Sequence, residues 1–151
     1  MLRPLAVATA LLASSSALAE AKVRLSLTNQ TLETEILYSA VVPAILTDAG
    51  ATVGTFRLPA AGRVIITYTA ECRLYDLGSY VTVNILIDGV SIKPTSPGDD
   101  GVRFCTSNSY DTHSITVTKA LKAGTHKIRV DGSTYGSTSG LLRKSSLVVF
   151  D

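Results

Sequence analysis

The sequence predicts an all-β fold, an antiparallel sandwich or barrel of about 8–10 short strands, and three observations point there. Beyond residue 20 no helical period is sustained. Val, Ile and Thr recur instead in short runs, broken every 8 to 12 residues by Gly, Pro, Asp, Asn or Ser. Within the best-defined runs apolar and polar side chains alternate, as they do in strands with one face buried.

Residues 1–19 read as an address rather than structure. A single charge at Arg3 precedes an apolar and small-residue run, which closes at Ala17-Leu18-Ala19. That is a short charged region, a core too short to span a bilayer, and an A-x-A cleavage signal; the plain alternative is a core helix. Cleavage would leave a mature chain from Glu20, and 19 residues removed from 151 leave 132 for a single domain, 20–151. The expected compartment is the periplasm or cell exterior.

The strands then follow in order. Runs at 22–27, 36–42 and 52–58 lead to Pro59 and Gly62, which break the chain because proline lacks a donor and glycine permits the bend. In 63–73 one face carries Val64, Ile66, Tyr68, Ala70 and Cys72. The other carries Arg63, Thr67, Thr69 and Glu71, with Ile65 as an exception that suggests cover on both sides. In 80–87 the inward set is Val81, Val83, Ile85 and Ile87, and Asp88-Gly89 reads as a two-residue type I′ turn into 90–92. After a strand at 102–106, the runs 114–121 and 125–131 read as a hairpin turning at Lys122-Ala123-Gly124, and 145–150 closes the domain. The polar stretches 94–101, 107–113 and 132–140 are loops, and "GSTYGSTSG" is a low-complexity surface segment.

Two cysteines, Cys72 and Cys105, remain after cleavage, and in an oxidising compartment they are expected to form one disulfide. Neither histidine lies near them in sequence to sustain a catalytic thiolate. The bridge would close a loop of 34 residues, counted inclusively.

Charge and motif argue mostly by exclusion. With Arg3 removed, 13 basic residues face 12 acidic ones and no Lys/Arg block stands out. Neither nucleic acid nor an anionic membrane is an expected partner, and no second apolar segment reaches membrane length. No cofactor is expected: no phosphate loop, dinucleotide fingerprint or nucleophile elbow occurs. In the hairpin reading His126 faces Ala120, so His113 lies roughly 23 Å from it along the strand, too far for a shared metal. Asp99 and Asp100 are weak calcium candidates, although an Asp-rich turn is usually only a turn. The same hairpin brings the loop with Asn108, Tyr110, Asp111 and His113 to one pole with the loop holding Ser133, Thr134, Tyr135 and Ser137. Loop tyrosines among hydrogen-bonding groups suit recognition of a sugar or a protein surface.

The stretch "GTFRLPAAGRVIITYTAE" (54–71) resembles the equivalent strand pair of C1q/TNF-like jelly rolls, in its F-x-x-P-x-x-G order before a central strand. "VTVNILIDGV" is similar to their hairpin and "SSLVVFD" to their closing strand, with Arg63 standing where those domains carry an aromatic. A second resemblance, through "VTVNILIDGV" and "LKAGTHKIRVDG", is to carbohydrate-binding jelly rolls of exported bacterial proteins, here without any Trp. These resemblances imply jelly-roll topology for the sandwich and, from the first, a homo-oligomer in the form of a trimer. The function expected is an exported, non-catalytic binding or assembly domain that recognises a protein or carbohydrate partner through loops at one end. The alternative is a structural, oligomer-forming module such as a trimeric head, coat or filament subunit.

Overall fold

A computed structural model of the chain describes residues 21–38, 40–76, 78–92, 102–136 and 139–151. The expected leader and the pair Asp99 and Asp100 lie outside the described residues. Ten strands form among the described residues. They are β1 (Val23–Ile36), β2 (Val42–Pro43), β3 (Gly54–Leu58), β4 (Gly62–Leu74), β5 (Tyr80–Ile87), β6 (Val90–Ser91), β7 (Val102–Cys105), β8 (Asp111–Leu121), β9 (Gly124–Tyr135) and β10 (Gly140–Phe150).

They pair antiparallel in two sheets. One runs β1-β10-β4-β8; the other runs β2-β9-β5-β6, with β3 also on β9 and β7 also on β5. The chain therefore changes sheet on passing from β1 to β2, β3 to β4, β4 to β5, β7 to β8, β8 to β9 and β9 to β10. That alternation wraps it as a jelly roll, a two-sheet solution to the edge-strand problem. Period-two burial makes the core. Val64, Ile66, Tyr68, Ala70, Cys72 and Leu74 on β4, Val81, Val83, Ile85 and Ile87 on β5, and Ile128 and Val130 on β9 are all buried. Cys72 and Cys105 are joined, their Cα atoms 6.2 Å apart, tying β4 of one sheet to β7 of the other.

Four expectations need correction. The strands 114–121 and 125–131 do not form a hairpin: β8 pairs with β4, and β9 pairs with β2, β3 and β5. Side-chain hydroxyls reinforce the first pairing, with Thr67 bonded to Thr116 and Thr69 to Ser114, each at 3.0 Å. His126 consequently lies opposite Phe56 rather than Ala120. Ile65 is 43% exposed, so no layer covers the outer face of β4 there. The strand expected at 36–42 is interrupted: β1 ends at Ile36, Tyr38 makes one isolated bridge to Thr134, and pairing resumes at Val42. The loops expected at 107–113 and 132–140 are shorter: Asp111 and His113 are strand residues of β8, His113 opposite Ala70, and β9 runs through Tyr135.

The Asp88-Gly89 turn is as expected. Both residues have positive φ, 52° and 79°, as a type I′ turn requires. A latch holds it. His126 Nδ1 lies 2.7 Å from Asp88 Oδ2 and Nε2 lies 2.9 Å from the Lys122 carbonyl, while the Lys127 N–H donates to Asp88 Oδ1 at 2.8 Å. Both ring nitrogens face acceptors, so both donate only when the imidazole is protonated. The Asp88 carboxylate, then the Lys122 carbonyl, raises the His126 pKa; the His126 bond, then the Lys127 amide, lowers that of Asp88.

Stability should follow the sign of these shifts. The His126 contribution is complete below its unfolded value of about 6.5 and is lost as pH rises through the raised folded value. The Asp88 contribution is present above about 3.9 and is lost as pH falls through its depressed value. Melting temperatures between pH 5 and 9 should fall toward the alkaline end in the native sequence and fall less in His126→Gln. Identical profiles for the two proteins would rule out the latch.

At the opposite end from Gly140, β1 begins and β10 finishes side by side. Lys22 and Asp151 exchange two backbone hydrogen bonds of 3.0 Å, and Arg24 reaches the Asp151 carboxylate at 2.6 Å.

Candidate functional site

Strand register decides which residues meet at the Gly140 end. Gly140 lies between Ile36 of β1 and Leu74 of β4, Asp111 opens β8 beside Cys72, and Tyr80 opens β5 beside Tyr135, the last residue of β9. These chain ends bring together Tyr38, Tyr75, Tyr80, Tyr110 and Tyr135, five of the six tyrosines in the sequence. The sixth, Tyr68, is in the core. Three arginines join them, each against a tyrosine ring.

On the four-stranded sheet, Tyr110 packs under guanidinium groups. Arg143 lies 3.4 Å and Arg73 4.8 Å from its ring centroid, and its hydroxyl donates to Glu33 at 3.1 Å. Arg143 also donates to Glu71 at 2.8 Å, and Lys144 reaches the same carboxylate at 3.1 Å. The bonds from Lys144 and Arg143 hold Glu71 below the usual carboxylate range, while desolvation and then the Glu33 carboxylate push the Tyr110 hydroxyl up. Arg73 spans from Tyr110 to Tyr75, 5.3 Å from the second ring.

The six-stranded sheet carries a different arrangement. Tyr80 and Tyr135, directly paired across strands, stack with centroids 4.9 Å apart and planes 16° from parallel. Arg103 lies 4.1 Å from the Tyr80 ring. With Tyr80 against one face, Tyr135 turns toward a cleft of about 360 Å³ that it shares with Tyr38, Thr134 and Gly136. Tyr38 and Tyr135 are 55% and 67% exposed. Gly136 has φ of 115°, and a Cβ there would run into Ser79 Oγ, so the turn beside the cleft calls for glycine.

The residues expected from sequence separate accordingly. Tyr110 and Tyr135 stand at the same end but on opposite sheets, the first engaged by arginines and the second open to the cleft. Asn108 and Asp111 are exposed beside Tyr110 in the chain. His113 turns inward, its ring 5.6 Å from that of Phe104 and its Nε2 buried without a hydrogen-bond partner. No group of three or more metal-ligating side chains occurs among the described residues. Sequence reading missed Tyr38, Tyr75, Tyr80 and the three arginines, because residues in or beside strands reveal their end of the sandwich only once the topology is known.

No family model matches the chain, and no curated protein matches it. Among solved structures it is similar to VP2 of infectious bursal disease virus in a subviral particle, with a TM-score of 0.58 and 12% identity, over 87% of this chain and 33% of that one. The chain thus spans about a third of the viral protein's length. It also matches Eiger TNF from S. frugiperda (TM-score 0.45, 8% identity, 86% of this chain and 93% of that one). The globular domain of zebrafish complement 1qA matches at TM-score 0.44 and 13% identity, over 85% and 94% of the two chains. These likenesses concern the fold alone.

Proposed function

We propose that the chain is an exported, non-catalytic recognition domain that binds a glycan or protein partner at its tyrosine-rich end. The observation that carries this reading is the gathering of five of six tyrosines there, with two of them flanking an open cleft. Tyrosine offers an apolar face and a polar tip, which suits both sugar rings and protein surfaces. Tyr38 and Tyr135 form the platform, and Tyr110, Asn108 and Asp111 form the rim on the other sheet. Both histidines are engaged elsewhere, His126 in the turn latch and His113 against Phe104, which favours binding over acid–base chemistry. The disulfide suits an oxidising compartment.

A glycan array, followed by calorimetry on its strongest hit, tests the reading. The Tyr38→Ala/Tyr135→Ala variant should lose most of the affinity while its stability changes by no more than about 0.5 kcal/mol per exposed position. Normal binding by the double variant would move the site elsewhere.

A second reading, an oligomer-forming module, draws on the outer face of the four-stranded sheet. Exposed Ile65 lies beside Phe150 and Thr118 there, next to the Thr67–Thr116 and Thr69–Ser114 hydroxyl pairs. A trimer mass in dilute solution would favour it; a monomer would leave the recognition reading alone.

A further inference from the structure

We infer that the ligand of this end is an acidic sugar, whose carboxylate or sulfate is received by Arg73; the inference rests on the recognition reading above. Four arginines bear on the four-stranded sheet, and they differ in how they are satisfied. Arg24 is paired with Asp151 and Arg143 with Glu71. Arg63 stands exposed at the far end of β4. Arg73 alone is half-buried and has no carboxylate partner among the described residues, and its Nε is buried without a hydrogen-bond partner. Asp76, three residues on, and Asp111, opposite Cys72 on β8, make no ion pair with it. Arg143 and Lys144 are taken up by Glu33 and Glu71, which leaves Arg73 as the guanidinium of this cluster without an ion pair among the described residues.

The buried Nε is closed to a ligand, so an anion meets Arg73 through its two Nη groups, which can receive a carboxylate or sulfate with two parallel N–H bonds. The packing of Arg73 against Tyr75 and Tyr110 fixes the guanidinium before any ligand arrives, which lowers the ordering cost of binding. Tyr75 then supplies the second half of a sugar site. It is 48% exposed and its ring centroid lies 5.3 Å from the guanidinium carbon. A pyranose whose C–H face rests on Tyr75 therefore brings an anionic substituent within reach of Arg73. The unpaired Arg73 guanidinium selects the acidic sugar over a neutral one, and the adjoining ring favours a sugar over an isolated anion.

Binding is measured by affinity electrophoresis with polygalacturonate, dextran sulfate and neutral dextran, at low and at physiological salt. At least one acidic polymer should retard the native protein and neutral dextran should not; which acidic polymer does so distinguishes carboxylate from sulfate. Arg73→Gln should weaken that binding roughly tenfold or more, the scale of losing a charge-assisted pair, while Arg63→Gln should leave it unchanged. Arg73→Lys keeps the charge without the fork and should fall between, which covers the case in which Arg73→Gln fails to fold. Three results would overturn the inference: no retardation by either acidic polymer, equal retardation by dextran, or equal losses in the Arg63 and Arg73 variants. A neutral ligand or peptide lost in Tyr38→Ala/Tyr135→Ala but retained in Arg73→Gln would overturn it too, and would leave recognition at this end intact.

Discussion

Truncating Tyr68 to alanine should lower the unfolding free energy by about 3–5 kcal/mol, on the precedent of large-to-small changes at sites that cannot collapse. Tyr68 is fully buried at the middle of β4, between Leu147 of β10 and Ile115 of β8, with the Phe104 ring 5.7 Å away. Its hydroxyl is buried without a good hydrogen bond beside Ser145, whose own hydroxyl donates to the Ile45 carbonyl. Desolvation accordingly drives the phenol pKa well above its ordinary value. Tyr68→Phe removes that unsatisfied oxygen at little cost in shape, so it should be neutral or stabilising by up to about 1 kcal/mol. Urea unfolding of both variants tests the pair of expectations. A cost under about 1 kcal/mol for the alanine variant would mean the sheets do not close over this residue as described. A clear loss in Tyr68→Phe would mean that the hydroxyl is bonded after all.

Replacing both Cys72 and Cys105 with alanine should cost about 2–5 kcal/mol, mainly by releasing the unfolded chain from a closed loop. The sequence separation of 33 makes that loop long enough for the effect to be substantial. For a domain of this size the loss corresponds to a fall of roughly 5–20 °C in melting temperature. The effect should also be local. Cys72 immediately precedes Arg73, so freeing it loosens the strand end that carries the arginine, and hydrogen exchange should accelerate first at 71–75 and 103–106. A melting temperature unchanged by reduction would show that the two sheets need no such tie.

How much of this was legible depends on the range of the interaction that decides each feature. β5 could be read residue for residue, because its alternation and the Asp88-Gly89 turn are local signals that agree with each other. Cys72 and the inward set of β4 were equally legible. The pairing of β8 was not. Lys122-Ala123-Gly124 has local turn chemistry suited to a hairpin, but the partner of β8 is chosen by β4, some 50 residues earlier, through a matched face that includes Thr67–Thr116 and Thr69–Ser114. Tyr110 and Tyr135 read in sequence as loop aromatics, although Tyr135 closes β9. Tyr38 and Tyr80 look in sequence like ordinary strand residues, and Arg73 like an ordinary outward charge. Their common end exists only after the chain has crossed between sheets several times.

The mutual backbone bonds of Lys22 and Asp151 have a consequence for how the domain can be carried. Both ends of the folded unit emerge at one point, at the far end of β1 and β10 from Gly140 and the tyrosines. Anything joined there, whether a stalk, a surface or the loop of a host protein, holds the domain like a lamp on a single mount, with the tyrosines and Arg73 facing away. The unit can be inserted, displayed in tandem or circularly permuted by a short bridge from 151 to 22 without crossing the tyrosine-rich end.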